Sequence, residues 1–310
     1  MISSKKKSLR KIWSGIIISI FLLLVGSFIL TKVIYDASFS RYDNIPSIPN
    51  ELKTVADSRV ESNFKSGENT LCGYLYNNES DSLIVIAPGF NASADDYIQQ
   101  ISGFLERGWA VFIFDPTGSC KSEGNSAIGF SQAIFDLEAA LDFIETNERF
   151  GYEDIYLLGH SRGGYAVCSV LDKGYDISAA VTVSGVNTCM DAIMQPVADR
   201  IGFLAYSNYP FLWLYQSMLF GADTVNTDAS EEILESDIPV LIVQGSEDEK
   251  FTEEKYSVYS QSIDDGADNA QFLLCETDGQ NGHTSLLFDA DGTANDKLLT
   301  EIDSFFRQGN

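Results

Sequence analysis

Two stretches of this chain, Leu83-Ile84-Val85-Ile86 and Val240-Leu241-Ile242-Val243, are apolar at every position. A strand with one wet face alternates polar and apolar residues. A run without alternation has no face to offer water and must be covered on both sides, as in a parallel sheet sandwiched between helices. Shorter β-branched or aromatic runs at 70–76, 110–115, 155–159, 179–184 and 271–275 extend the series. Stretches of helical spacing lie between them, at 94–106, 131–147, 161–171, 253–262 and 296–307. In the second, Ile134, Leu137, Leu141 and Ile144 fall at intervals of three and four and mark one helix face. The alternation predicts an α/β fold whose central sheet is mostly parallel, with helices on both faces.

The charge divides the chain. The 310 residues carry a net charge of −25, but residues 1–40 hold six basic side chains (Lys5, Lys6, Lys7, Arg10, Lys11, Lys32) against Asp36 alone, which is +5 and leaves −30 for the rest. So acidic a surface argues against nucleic acid as a partner, since the phosphate backbone is bound by dense Lys and Arg. Behind the basic cluster, residues 12–30 carry no charge and are mostly Ile, Leu, Phe and Val. At ~1.5 Å per residue they span roughly 29 Å, the thickness of a bilayer core. The sequence Thr31-Lys32-Val33-Ile34-Tyr35-Asp36 offers no small-residue cleavage site and no lipid-accepting cysteine. This favours an uncleaved anchor over a cleaved signal peptide. The expected organisation is a cytoplasmic basic segment (1–11), a transmembrane anchor (12–34), a stalk (35–58) and a folded α/β domain (59–310). The positive-inside rule places that domain outside the cytoplasm, on a single-pass cell-membrane protein. Five scattered cysteines and two histidines supply no metal-ligand spacing, so neither metal nor cofactor is expected.

Gly159-His160-Ser161-Arg162-Gly163 fits G-x-S-x-G, a weak pattern by itself. Here it follows the run 155–159 and opens the helical stretch 161–171. This is the strand–turn–helix setting in which flanking glycines let a serine stand proud of a sheet. A serine hydroxyl needs a base. His160 sits inside the turn and points elsewhere, leaving His283 in the Gly-rich loop 278–283 as the eligible histidine. The orienting acid is sought after another strand: the run 240–245 leads into Ser246-Glu247-Asp248-Glu249. Asp248 is preferred, with Glu247 and Glu249 as alternatives. The chain order Ser161, Asp248, His283 differs from that of chymotrypsin-like or subtilisin-like proteases. Acyl transfer also needs oxyanion donors. Position assigns these to the backbone N–H of Arg162 and to that of Phe90, in the loop Pro88-Gly89-Phe90-Asn91 after the run 83–87.

From about residue 59 to 307 the chain resembles α/β-hydrolases of the serine aminopeptidase and monoglyceride-lipase-like branch. The elbow carries the resemblance together with two other segments. Asp115-Pro116-Thr117-Gly118-Ser119-Cys120-Lys121-Ser122-Glu123-Gly124 is similar to the family's D-x-R-G-x-G-x-S-x-G loop. Pro239-Val240-Leu241-Ile242-Val243-Gln244-Gly245, followed by Asp248, is similar to its P-V-L-x-x-x-G-x-x-D segment. Pro88 stands where the family's oxyanion loop has His, and Thr117 and Cys120 stand where the other loop has Arg and a second Gly. The resemblance implies a helical lid inserted at about 189–237. That interval contains 22 uncharged residues, 201–222, seven of them aromatic. Were these a second membrane span, Ser161 would lie on the opposite side from Asp248 and His283, so a lid is the consistent reading. The expected activity is cleavage of an ester, thioester or amide of a small-molecule or peptide acyl substrate through an acyl-enzyme. An acyltransferase using the same residues, or a binding protein retaining the fold, are the alternatives.

Overall fold

The structure is a computed structural model that describes residues 2–308 apart from Asn78, Glu148 and Glu253, with side chains described from residue 11 onward. Eight strands, β1 (Val60–Ser66), β2 (Asn69–Tyr76), β3 (Ser82–Ala87), β4 (Ala110–Phe114), β5 (Asp154–His160), β6 (Ala179–Val183), β7 (Val240–Gly245) and β8 (Ala270–Cys275), form one sheet. Its order is β1-β2-β4-β3-β5-β6-β7-β8. β2 is antiparallel to both neighbours, and every other pairing apart from the β1–β2 hairpin is parallel.

The unbroken apolar runs behave as their lack of alternation requires. All of β4, β6 and β7 is buried. Successive residues feed two separate cores: Leu83, Val85, Ile242 and Val240 face one, while Ile84, Ile86, Leu241 and Val243 face the other. Helices Gln132–Thr146 and Arg162–Ser169 cover the first face, and Ile98–Glu106 and Asp296–Gln308 the second. The seven runs read from the sequence are β2 to β8. β1 carried no signal because it is an edge strand of mixed polarity, VESNFKS, in which only Phe64 and Ser66 are buried. The helical stretch at 253–262 begins on Glu253, outside the described residues, and the helix itself is Val258–Asp265.

The N-terminal helix, Ile2–Ser38, outruns the apolar segment. Its stretch Lys11–Ser38 is the one described helix long and apolar enough to cross a membrane. Ile17, Phe21, Leu22 and Leu23 are exposed along it, but Tyr35 and Phe39 enter the first core. The segment beyond, expected as a stalk, lies along the domain. Tyr42 exchanges backbone hydrogen bonds with Gly118 and Cys120, and the Arg41 guanidinium donates to the Ser122 and Gly124 carbonyls. Leu52 and Ala56 are buried in the second core.

Between β6 and β7 the chain forms helices Cys189–Ile201, Tyr209–Phe220, Ala222–Val225 and Ala229–Glu235, with a 3₁₀ segment Gly202–Asn208. The uncharged run 201–222 is therefore broken. Its longest helix, 12 residues, rises only about 18 Å, too short to cross a bilayer core.

Candidate active site

β3 and β5 are adjacent although the chain visits β4, on the other side of β3, between them. Where strand order reverses in this way, the carboxyl ends of the two strands border a crevice. The loop Pro88–Asn91 leaves β3 there, and Ser161 leaves β5.

Ser161 has φ 57° and ψ −116°, a conformation that costs a non-glycine residue about 1–3 kcal/mol and persists only where its surroundings impose it. They do. A Cβ on Gly159 would lie 2.2 Å from the Gly163 carbonyl oxygen, and one on Gly163 would lie 1.9 Å from the Ala87 oxygen and 2.8 Å from that of Pro88. The helix Arg162–Ser169 thus starts against the end of β3, with no space for a side chain between them. This packing also brings the Phe90 loop against the Arg162 turn. The Arg162 side chain turns inward: Nε donates to the Phe130 carbonyl at 3.0 Å and an Nη to that of Gly129 at 2.8 Å. Its guanidinium lies 5.9 Å from the Phe90 ring centroid. Burial lowers its pKa from the usual arginine value, and the Asp136 charge opposes that shift.

The structure brings Ser161, His283 and Asp248 together. His283 Nε2 is 2.8 Å from Ser161 Oγ, and its Nδ1 is 2.9 and 3.0 Å from the two Asp248 oxygens. All three residues are buried. Asp248 accepts further hydrogen bonds from the Lys250 and Phe251 amides (2.8 and 2.9 Å) and from Gln244 Nε2 (3.0 Å). Burial pushes its carboxyl up, but the His283 hydrogen bond and charge and the two amides outweigh it, so its pKa lies below the usual aspartate value. With a carboxylate at Nδ1, the imidazole carries its proton there and leaves Nε2 free to accept. Glu249, weighed as an alternative acid, instead accepts the His283 backbone N–H at 3.1 Å. The Glu247 backbone N–H donates to the Asn281 carbonyl at 2.8 Å and thereby ties the two loops.

His160 does point away from Ser161, and it does more than fill space. Its Nε2 lies 2.9 Å from the His283 carbonyl oxygen, and its Nδ1 lies 3.1 Å from the Tyr97 hydroxyl. That hydroxyl accepts the Gly89 N–H at 2.8 Å. Burial, with a smaller push from His283, holds the His160 pKa down to about 3, so the ring is neutral. One proton arrangement satisfies the chain: Gly89 N–H to Tyr97, Tyr97 O–H to Nδ1, and Nε2–H to the His283 carbonyl. It ties the loop after β3 to the backbone of His283. Sequence reasoning missed Tyr97, Gln244 and this use of His160. Tyr97 and His160 act through contacts distant in sequence, whereas Gln244 reaches Asp248 and Phe251 in the loop that follows its strand, and its place next to the strand-ending Gly245 hinted at a role.

The departures in the loop 115–124 also have local explanations. Thr117, in place of Arg, donates through its N–H and hydroxyl to Asp136 at 2.8 and 2.7 Å. Cys120 takes the left-handed conformation (φ 44°) that a glycine would adopt there more cheaply. Among the described residues no cluster of His, Cys, Asp or Glu is arranged to hold a metal ion.

A family model described as alpha/beta hydrolase fold matches residues 82–210. An esterase of Pyrococcus furiosus superposes with a TM-score of 0.65 at 17% identity, covering 87% of this chain and 98% of its own. Est1E of Butyrivibrio proteoclasticus, solved with ferulic acid bound, gives 0.57 at 19% identity, covering 80% and 98%. An esterase of Exiguobacterium antarcticum gives 0.56 at 14% identity, covering 80% and 100%. No curated protein matches the chain in sequence.

Proposed function

Because this chain has the α/β-hydrolase fold, we propose that it is a serine hydrolase, with Ser161 as nucleophile, His283 as general base and Asp248 as the acid that orients the imidazole. The observation that carries the reading is the hydrogen-bonded series Ser161 Oγ, His283 Nε2–Nδ1, Asp248, mounted on a serine held at positive φ. Nε2 takes the Ser161 proton as Oγ attacks the substrate carbonyl. The negative charge that gathers on the carbonyl oxygen is met by the Phe90 and Arg162 backbone N–H groups, the first from the loop after β3 and the second from the start of the elbow helix. His283 then passes its proton to the leaving group and an acyl-Ser161 forms. Water, deprotonated by the same nitrogen, releases the acid and restores the hydroxyl.

Ester hydrolysis is the favoured reaction, since the Pyrococcus furiosus and Exiguobacterium antarcticum neighbours are esterases by name. The test is a panel of p-nitrophenyl esters set beside aminoacyl-nitroanilides, for the native chain and Ser161→Ala. Ester turnover that needs Ser161, with no anilide turnover, is expected. Anilide turnover in its place would make the chain a peptidase.

The N-terminal helix is read as an uncleaved anchor with the hydrolase domain outside the cytoplasm. Support comes from the basic residues before position 12 and from the docking of Tyr35 and Phe39, which makes the helix end part of the domain. External protease added to intact cells should degrade the domain. A domain that stays protected until the cells are lysed overturns the orientation.

A further inference from the structure

The end of the N-terminal helix borders a cavity of about 600 Å³. Leu30 and Ile34 of the helix line it together with Ile193 and Leu204 of the 189–237 segment and with Phe90 and Phe130. Arg200 is the one charged residue among those lining it. The volume is that of a ligand pocket, ~300–1,000 Å³. The lining reaches the proposed chemistry, because Phe90 is the residue whose N–H is assigned to the oxyanion and the Phe130 carbonyl accepts from Arg162.

Specific contacts fasten the 189–237 segment to the helix. Thr31 Oγ1 donates to Asn208 Oδ1 at 2.8 Å, and the Tyr215 hydroxyl donates to Asp36 at 2.6 Å while accepting from Lys32 at 2.9 Å. The Phe28 and Tyr35 rings meet Tyr215 edge-on at 6.1 and 5.3 Å. These contacts fall between residues 28 and 36, where the apolar run 12–30 ends. The cavity therefore lies where the bilayer surface falls on an anchored chain. Of its lining, Ile201 and Leu204 are exposed, and so is Phe203 between them in the chain, by 81%. An apolar patch of this kind at that level has lipid as its natural cover.

We propose that the N-terminal helix is one wall of the acyl-binding pocket, and that the substrate is a long-chain acyl ester taken from the bilayer. The acyl chain lies between residues 30–34 and the helix Cys189–Ile201, with its carbonyl at Phe90 and Ser161. This rests on the serine hydrolase reading and adds to it a substrate class and a route of entry. The occupant follows from position and chemistry together: the lining is apolar, it opens beside a membrane helix, and that helix contributes two of the lining aliphatic side chains.

The test uses the full chain reconstituted in phosphatidylcholine vesicles. p-Nitrophenyl palmitate is partitioned into the same vesicles, and p-nitrophenyl butyrate is supplied in the water. The native chain should favour palmitate in kcat/KM by at least tenfold. Ile34→Trp on the helix and Ile193→Trp on the 189–237 segment each narrow the cavity and should lower the palmitate-to-butyrate ratio of kcat/KM tenfold or more. A native preference below tenfold overturns the proposal without recourse to any variant. So does a tryptophan at Ile34 that leaves the palmitate-to-butyrate ratio unchanged while butyrate turnover persists. Butyrate turnover also serves as the folding control. Absence of both palmitate and butyrate turnover from the native chain, or ester turnover that persists in Ser161→Ala, would instead refute the hydrolase reading.

Discussion

Replacing Asp248 by Asn tests the assignment of the acid through its hydrogen bonds. One Asp248 oxygen accepts the Lys250 and Phe251 amides, and the other faces Gln244 Nε2 and the closer approach of His283 Nδ1. The Asn oxygen must keep the two amides, because turning its NH₂ toward them would oppose two fixed donors. The NH₂ then faces Gln244 and stands 2.9 Å from His283 Nδ1, whose other approach, 3.0 Å, is to the oxygen already holding the two amides. Gln244 cannot relieve the conflict by rotating its amide, since its Nε2 also donates to the Phe251 carbonyl at 2.8 Å. The imidazole alone can yield, by moving its proton to Nε2, and it then has no lone pair for the Ser161 hydroxyl. A base held in the wrong tautomer costs on the order of 10⁴-fold in kcat, about 5 kcal/mol of barrier. The assay is kcat for a soluble p-nitrophenyl ester between pH 6 and 10, approximately the range in which such esters can be followed. Residual activity in Asp248→Asn should climb steadily with pH, because hydroxide must replace the missing base. Glu249→Gln, which keeps an acceptor for the His283 N–H, should stay within about tenfold of native. An Asp248→Asn protein within tenfold of native, beside a Glu249→Gln protein that loses 10³-fold or more, would show that the wrong carboxylate was chosen.

The neutral His160 gives a pH signature. Its folded pKa of about 3 lies below the unfolded value of 6.5, so the unfolded chain binds more protons between these limits. The stability it contributes is complete above pH 6.5 and is lost as the pH falls toward 3, by up to about 5 kcal/mol. His160→Gln should flatten the fall in Tm across this window; an unchanged slope would show that His160 is charged or exposed. Gly163→Ala sets a Cβ 1.9 Å from the Ala87 carbonyl oxygen, and backbone must move. Ester turnover should drop by about 100-fold or more, since misplacing the reacting groups by ~1 Å has that effect. Gly151→Ala, which meets nothing within 4 Å, should match native, and equal activity in the two variants would contradict the close packing of the elbow on β3.

Much of the fold was legible because burial on both faces leaves a plain trace: seven of the eight strands are short apolar or β-branched runs, and the helices between them show one-sided spacing. β1 left none, since an exposed edge strand need not be apolar. The contacts of the segment 35–58 were hidden for a related reason. Mixed polarity and Pro46 and Pro49 read as a spacer, whereas its attachment rests on backbone hydrogen bonds from Tyr42 and on single buried side chains such as Phe39 and Leu52. Ser161, Asp248 and His283, which meet in the structure, could be proposed because each follows a strand and because histidine is scarce. The groups that hold them could not. Tyr97, Glu249 and His160 act through contacts that depend on where loops cross, and no spacing encodes that; Gln244 reaches Asp248 in the loop that follows its strand. The cavity was equally hidden, since its two walls lie more than 150 residues apart in the chain.

The central claim, that Ser161 is an activated nucleophile, is tested most directly by treating the folded chain with a fluorophosphonate and locating the adduct by peptide mass spectrometry. The account predicts a single adduct on Ser161 and none in Ser161→Ala. An unmodified Ser161, or labelling that survives its replacement, would contradict it.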